Sequence, residues 1–172
     1  MVRRGQSLSE AHARWGQITG AAIVAIGLIM PFEGRNHEVY YDPLHIATYC
    51  DGQTYHPLFG HRYTDTECDA LIKVQVTQIE TEFDRAVKTP ISSDTKAAFI
   101  SFVYNVGNGQ AGKKDGFYVL KNGHPSTMLR KLIAGDVRGA CNELPKWANP
   151  PLPGLVRRRK AEQDLCLKGL QE

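Results

Sequence analysis

Residues 29–54 read IMPFEGRNHEVYYDPLHIATYCDGQT, and in this stretch an apolar helix end gives way to a β-forming segment. Valine, tyrosine, isoleucine and threonine, which favour strands, follow Glu33, and turn-forming dipeptides interrupt them at 42–43 and 51–52. Short runs of strand formers between turn signals are typical of a hairpin or a small sheet. We therefore expect a small β lobe over residues 33–62.

The segment before this lobe carries no charge over residues 16–32. It is weakly hydrophobic, and its length is at the lower edge of what spans a bilayer. Residues 7–32 therefore have two interpretations, a signal-anchor in the inner membrane and an ordinary buried helix that Pro31 ends. For the helix, an S-x-x-E capping box at 7–10 predicts a start there and an end near Met30.

The chain after residue 62 is predicted to form a helical lobe over residues 63–172. A capping box at 64–67 starts a helix whose apolar residues recur on one side toward Val87. Further helices are expected from Ser93 to Gly107, from Ser126 to Ala134, after Asp136, and from Leu155 to Leu167. The pattern predicts a single α+β domain over residues 1–172, mainly helical, with a cleft between its lobes.

Composition excludes few classes of function. The chain of 172 residues has 21 Lys and Arg against 18 Asp and Glu, a net charge of +3. This excess can assist the approach to an anionic polymer, but it does not identify one. The four cysteines form no CxxC pair and show no zinc-like spacing, so we expect no metal site.

Glu33, Asp42 and Thr48 form the candidate catalytic set. Glu33 follows an apolar helix end, where partial desolvation keeps a proton available for a glycosidic oxygen. Asp42 lies in the polar, turn-rich lobe and can activate water or stabilise positive charge, and Thr48 can orient that water. Each residue alone also fits a structural role in a turn or a strand, so the spacing by itself is weak evidence.

Several motifs resemble those of the phage-type lysozymes, glycoside hydrolase family 24. FEG at 32–34, YDP at 41–43 and Thr48 resemble that family's catalytic core, in which Glu, Asp and Thr follow at this spacing. FVYNVGNG at 102–109 is similar to its FxxNxGxG helix end. Further similar segments lie at 126–132, 134–136, 143–147 and 153–159, so that the resemblance covers residues 27–170 in order.

This resemblance implies a lysozyme-like fold and a muramidase activity. The expected reaction is hydrolysis of the β-1,4 bond between N-acetylmuramic acid and N-acetylglucosamine in bacterial peptidoglycan, by a phage endolysin that lyses its host and needs no cofactor. It also implies inversion at the anomeric carbon, for which the two carboxyl groups stand roughly 6.5–9.5 Å apart, against about 5 Å for retention.

One segment departs from the family pattern. Members usually carry a glycine-rich turn of the type TxGYGH, whereas this chain reads TYCDGQ at 48–53. The signal-anchor-release endolysins, a subgroup of the family, vary here and have a cysteine two places after the threonine together with a weakly apolar N-terminus. Cys50 and residues 16–32 resemble these features, which implies residence in the inner membrane followed by release to the periplasm, where the cell wall is cut.

Two other functions remain open. A lytic transglycosylase needs the acid but no water-activating carboxylate, and Asp42 and Thr48 argue against it. A non-catalytic module that binds peptidoglycan or forms part of a virion would keep the fold without turnover, and the altered turn after Thr48 keeps that alternative open.

Several lesser residues have two interpretations each. Asn105 can hydrogen-bond a sugar acetamido group in the cleft, or it can stabilise the helix end at Gly107. The basic run RRRK at 157–160 invites a nucleic-acid function, but acidic residues are interleaved with it. We therefore expect a solvated or cleft-edge face there, no nucleic-acid partner, and a monomer.

The cysteines are expected to form two disulfides. Widely separated cysteines fit disulfides in a protein that works outside the cytoplasm, although four buried thiols in a cytosolic protein would give the same pattern. The pairing we favour is Cys50 with Cys68, which ties the β lobe to the next helix, and Cys141 with Cys166, which ties the last helices together. Two other connectivities exist.

Overall fold

The structure, a computed structural model, describes residues 18–42 and 45–171, which form a small β lobe and a larger helical lobe. In chain order its elements are α1 (Gly20–Ile29), β1 (Asn36–Tyr41), β2 (Ala47–Cys50), α2 (Asp65–Ala86), α3 (Ser93–Val106), α4 (Thr127–Ile133), α5 (Val137–Cys141) and α6 (Pro153–Lys168). Single 3-10 turns follow α1 at Met30–Phe32 and precede α6 at Leu144–Trp147. The predicted α+β class, mainly helical with a small β lobe, is confirmed.

Helix α1 begins later than the sequence predicts. Thr19 is extended and caps the helix, and its hydroxyl donates a hydrogen bond of 2.8 Å to the Glu80 carboxylate. One continuous helix over 7–30 is therefore wrong, because Thr19 is not helical, and the capping box at 7–10 lies outside the described residues. The helix ends as expected, in the 3-10 turn that contains Pro31. Within the described part of the chain, no helix is both long and apolar enough to cross a membrane.

The β lobe contains one antiparallel hairpin of β1 and β2, in which Tyr40 pairs with Thr48. A disulfide between Cys50 and Cys68 ties the hairpin to α2, as predicted. The disulfide belongs to a small apolar cluster inside the lobe, formed by Tyr49, Cys50, Tyr63 and Cys68. The lobe therefore has its own small core, separate from the core of the helical lobe.

Helix α2 has the predicted start, face and end. The Thr64 hydroxyl accepts a hydrogen bond from the Glu67 N–H, and the Glu67 carboxylate accepts one of 2.7 Å from the Thr64 N–H. The bonds that the Thr64 N–H and hydroxyl donate to the Glu67 carboxylate lower the pKa of Glu67. The buried side of α2 carries Cys68, Ile72, Val76, Ile79, Glu80 and Phe83. The mainly apolar face of α2 therefore packs against both cores, with Cys68 in the core of the β lobe and Ile72 to Phe83 in that of the helical lobe.

Helix α3 forms the centre of the helical lobe and packs against α1, α2 and α6. Ser92 caps its start, and Gly107 ends it with a φ of +85°, a value that favours glycine. The ψ of Gly107 is −178°, so its backbone differs from the left-handed cap that the sequence predicts. Beside α3, the rings of Phe83, Phe99 and Phe117 lie 5.7–6.1 Å apart between centroids.

The last three helices close the helical lobe. Ser126 caps α4 and Asp136 caps α5, each through a side-chain oxygen, as the sequence predicts. A disulfide between Cys141 and Cys166 joins α5 to α6, which is the predicted pairing. Helix α6 packs against α3, where Arg159 lies over the Phe102 ring, and it places Arg158 over the Phe32 ring in the turn after α1.

Candidate active site

Glu33 lies where the two lobes meet. The 3-10 turn after α1 ends at Glu33, whose extended backbone leads into the β lobe. Its Oε1 accepts a hydrogen bond of 2.5 Å from Nη1 of Arg158 in α6, and its side chain keeps 20% exposure. On the β-lobe side stands Gly52, where a Cβ would lie 3.5 Å from Oε2. The predicted acid is therefore partly shielded by both lobes and still accessible.

Asp42 and Thr48 lie on the two arms of the hairpin and on the same face. The Asp42 N–H donates to Ile46 O at 3.0 Å, and Oδ1 of Asp42 accepts from the Ile46 N–H at 2.8 Å. Since Tyr40 pairs with Thr48, and side chains two residues apart share a face, the Asp42 and Thr48 side chains are diagonal neighbours. The Thr48 hydroxyl donates to Ile46 O at 3.0 Å, which leaves its oxygen to accept from a water.

A tight turn follows Thr48, at the segment where the sequence departs from the family pattern. Tyr49 and Gln53 exchange two backbone hydrogen bonds of 2.9 Å across it. Gly52 has a φ of +91°, and Cys50 has a φ of +49°, which is uncommon for a residue with a side chain. This turn has one glycine where the family pattern has two. We therefore expect contacts with neighbouring side chains to hold its shape.

Two side chains that the sequence did not single out for the site hold this turn. Arg35, two residues after Glu33, donates to both carboxylate oxygens of Asp51, at 3.0 and 2.9 Å. The Tyr104 hydroxyl of α3 donates to Asp51 O at 2.5 Å and accepts from Gln53 Nε2 at 3.1 Å. Burial raises the pKa of Tyr104, and the charges of Glu33 and Asp51 raise it further. The sequence carried one signal for these contacts, because Asp51 and Gln53 stand where the family pattern has other residues in this turn.

Asn105 lies at the C-terminal end of α3 and is exposed. Its Oδ1 accepts a hydrogen bond from the Arg159 guanidinium. This contact fixes the side chain through α6 rather than through the turn at Gly107. Binding of a sugar acetamido group by Asn105 stays a prediction.

The basic run at 157–160 is only in part the solvated or cleft-edge face that the sequence predicts. Its outer two residues are exposed, but Arg158 and Arg159 are buried. Both guanidinium groups contact the buried carboxylate of Glu162 on the same helix. Burial lowers the pKa of Arg159 to about 10. The prediction failed for these two residues because an acidic partner one turn away compensates their charge inside the protein.

Two concavities in the helical lobe do not coincide with this site. One of about 730 Å³ is bordered by residues 115–122 and Trp147, and one of about 440 Å³ by the end of α2 and Tyr118. Neither is lined by the predicted catalytic residues. A polymeric substrate needs an open groove rather than an enclosed cavity. We therefore assign the candidate active site from the positions of Glu33, Asp42 and Thr48. Among residues 18–42 and 45–171, no group of three or more His, Cys, Asp or Glu is arranged to hold a metal ion.

The sequence matches a known protein family. Residues 30–162 match the family described as Phage lysozyme. This chain belongs to the phage lysozyme family. It is 33% identical over 165 residues to a SAR-endolysin of Bacteriophage PS119, across 90% of this phage lysozyme and 92% of that protein.

Solved structures give the same fold. The active form of P1 phage endolysin Lyz superposes with a TM-score of 0.72 at 24% identity, over 91% of this chain and 98% of that one. The muramidase domain of SpmX from Asticaccaulis excentricus gives a TM-score of 0.67 at 25% identity, over 89% and 99%. The predicted lysozyme-like fold is confirmed, and the family makes this phage lysozyme a glycoside hydrolase that degrades peptidoglycan.

Proposed function

We propose that this phage lysozyme is an endolysin that hydrolyses the β-1,4 bond between N-acetylmuramic acid and N-acetylglucosamine, with Glu33 as the proton donor. The position of Glu33 at the junction of the lobes carries the proposal. Its carboxyl group is accessible at 20% exposure, while Arg158 of the helical lobe holds it by a hydrogen bond and Gly52 of the β lobe lies close to it. A general acid needs this combination of fixed geometry and access to the leaving oxygen.

Asp42 and Thr48 are proposed to activate and orient the water that attacks the anomeric carbon. Their side chains share one face of the hairpin, and backbone groups of Ile46 orient both of them. The Thr48 oxygen then accepts a hydrogen from the water, while the Asp42 carboxylate helps to activate it and stabilises positive charge at the anomeric carbon.

The test is the clearing of chloroform-permeabilised Gram-negative cells by purified protein. Glu33→Gln keeps the shape of the side chain but cannot donate the proton, so we expect a loss of at least roughly a hundredfold. Glu38→Gln is the matched control, because Glu38 is an exposed carboxylate of β1 that pairs with Arg62. Equal clearing by Glu33→Gln and the wild type would remove Glu33 from the mechanism, and an inert wild type would favour the binding module.

The products separate hydrolysis from transglycosylation. Hydrolysis with Asp42 and Thr48 in these roles gives a reducing N-acetylmuramic acid end, whereas a transglycosylase gives a 1,6-anhydro end of lower mass. Mass spectrometry of the digest distinguishes them. If the mechanism inverts, as the resemblance implies, proton NMR of the fresh digest shows the α anomer first.

A transient stay in the inner membrane is proposed for residues 16–32, followed by release to the periplasm. Helix α1 has no charged residue, and its outward side is apolar as well, with Ile23 at 56% exposure. A helix that is apolar all round is typical of a protein core or of a membrane, not of a protein surface. The SAR-endolysin of Bacteriophage PS119 is named for a signal-anchor-release route, which supports the same interpretation here.

A further inference from the structure

The turn over residues 49–53 forms one wall of the acid site. Gly52 in this turn faces the Glu33 carboxyl group so closely that a Cβ would be in van der Waals contact with Oε2. The turn also follows Thr48 directly, so its position fixes two of the three proposed catalytic groups relative to each other. A displacement of about 1 Å in such a site can cost on the order of a hundredfold in rate.

Arg35 ties this turn to the rest of the molecule. Its guanidinium donates to both oxygens of Asp51, whose side chain is 3% exposed. It also contacts Asp69 at 2.7 Å and Asp65 at 3.0 Å, both in α2. The hydrogen bond to Asp51, followed by those to Asp69 and Asp65, raises the pKa of Arg35. One planar group therefore holds the buried carboxylate of the turn and the first two turns of α2 together.

The two partners of this ion pair adjoin the catalytic groups along the chain. Arg35 is two residues after Glu33, and Asp51 directly precedes Gly52. We propose that Arg35, acting through Asp51, is a positioning residue that holds the turn against Glu33, a role that rests on the proposed function of Glu33. Asp51, one member of the pair, stands in the segment where this chain departs from the family's glycine-rich turn.

The alternative is an ion pair that stabilises the fold without effect on the reaction. It predicts a lower melting temperature for variants of the pair but an unchanged kcat in the folded protein. A positioning role predicts a fall in kcat below the melting temperature, with KM nearly constant, because the glycan still binds while the acid is misplaced. The two roles therefore differ in a quantity that can be measured.

The test uses purified full-length protein and soluble, uncrosslinked glycan strands, with kcat, KM and the melting temperature measured for each variant. For Arg35→Gln and Asp51→Asn we expect kcat to fall by roughly ten- to a hundredfold, with KM within about threefold. The kcat of the double variant should be no lower than that of the poorer single variant, because both changes break the same interaction between Arg35 and Asp51. Arg35→Lys should restore part of kcat, since it keeps the charge but loses the bidentate contact.

Arg62→Gln is the matched control, because Arg62 pairs with Glu38 on the exposed side of the same lobe. We expect its kcat to equal that of the wild type. If Arg35→Gln does not fold, Arg35→Lys and Asp51→Asn carry the test. Folded variants of the pair with wild-type kcat overturn the positioning role, whereas a wild type without turnover contradicts the proposed function instead.

Discussion

Arg158 and Arg159 are consecutive residues of α6 that serve different parts of the molecule. Arg158 reaches the Glu33 carboxyl group in the active site, while Arg159 lies fully buried beside Asn105 and the ring of Phe102, 4.8 Å from its centroid. Their neighbour Arg157 is exposed. Three arginines in a row thus lie in three environments, at the surface, beside the proposed acid and in the core of the helical lobe.

Replacement of Arg159 by Met should destabilise the fold strongly. The change removes one of the two arginines that compensate the buried Glu162 carboxylate, and Arg158 is left to serve both Glu162 and Glu33. We expect a loss of about 3 kcal/mol in the free energy of unfolding, measured by urea denaturation. Arg157→Met, one residue earlier in the same helix, should change it by less than about 0.5 kcal/mol. Equal losses for the two variants would contradict the buried network.

Sequence reasoning at this scale located the proposed catalytic groups but not their partners. Glu33, Asp42 and Thr48 could be proposed as catalytic because they fall in one short, recognisable segment. Arg158 stands 125 residues after Glu33, so no local pattern connects them. Arg35 was missed for another reason, since a lone arginine after Glu33 indicates nothing until the fold brings Asp51 and α2 around it.

At the scale of elements, the ends of helices were predicted where capping groups are local. The boxes and caps at Thr64, Ser126 and Asp136 all form, because a cap depends on residues within one turn. The start of α1 was missed because Thr19 caps it together with a long-range bond to Glu80. The uncharged segment around α1 fitted both a signal-anchor and a buried helix, and its local sequence pattern could not distinguish the two.

Helix α1 provides the test of the proposed membrane stay. Ile23 is exposed in the folded protein, so Ile23→Lys should leave the packing and the clearing activity intact. A lysine near the centre of a spanning helix disfavours insertion by roughly 2.5–3.5 kcal/mol, so the variant should be depleted from the carbonate-washed membrane fraction relative to the wild type. Ile133→Lys, an equally exposed isoleucine of α4, should partition like the wild type.

Other fractionation results would contradict this proposal. A wild type found wholly in the detergent-free periplasmic extract at all times would exclude a membrane stage. A wild type retained wholly in the membrane under all conditions would exclude release. Equal partitioning of Ile23→Lys and the wild type would show that α1 is not the segment that inserts.

At the scale of the whole molecule, polar contacts join the lobes at the proposed active site. Arg158 reaches Glu33 from the helical lobe, and Tyr104 reaches the turn of the β lobe through Asp51 O and Gln53. The two-lobed architecture followed from the sequence, because the change from helix-forming to strand-forming residues is visible in it. The contacts across the junction did not, because they depend on how the lobes are oriented.

Tyr104→Phe tests whether these contacts hold the lobes in register. The variant leaves Asp51 O and the Gln53 amide without their shared partner, both in buried residues, so we expect a loss of roughly 1–3 kcal/mol in unfolding free energy. Tyr118→Phe is the matched control, because its buried hydroxyl has no hydrogen-bond partner among the described residues and its removal should be neutral or stabilising. Clearing activity should fall for Tyr104→Phe, whose lost bonds adjoin Glu33, and stay constant for Tyr118→Phe. If both variants match the wild type in stability and activity, the hydroxyl of Tyr104 does not couple the lobes, and the alignment of Glu33 with the turn rests on Arg35 and the backbone alone.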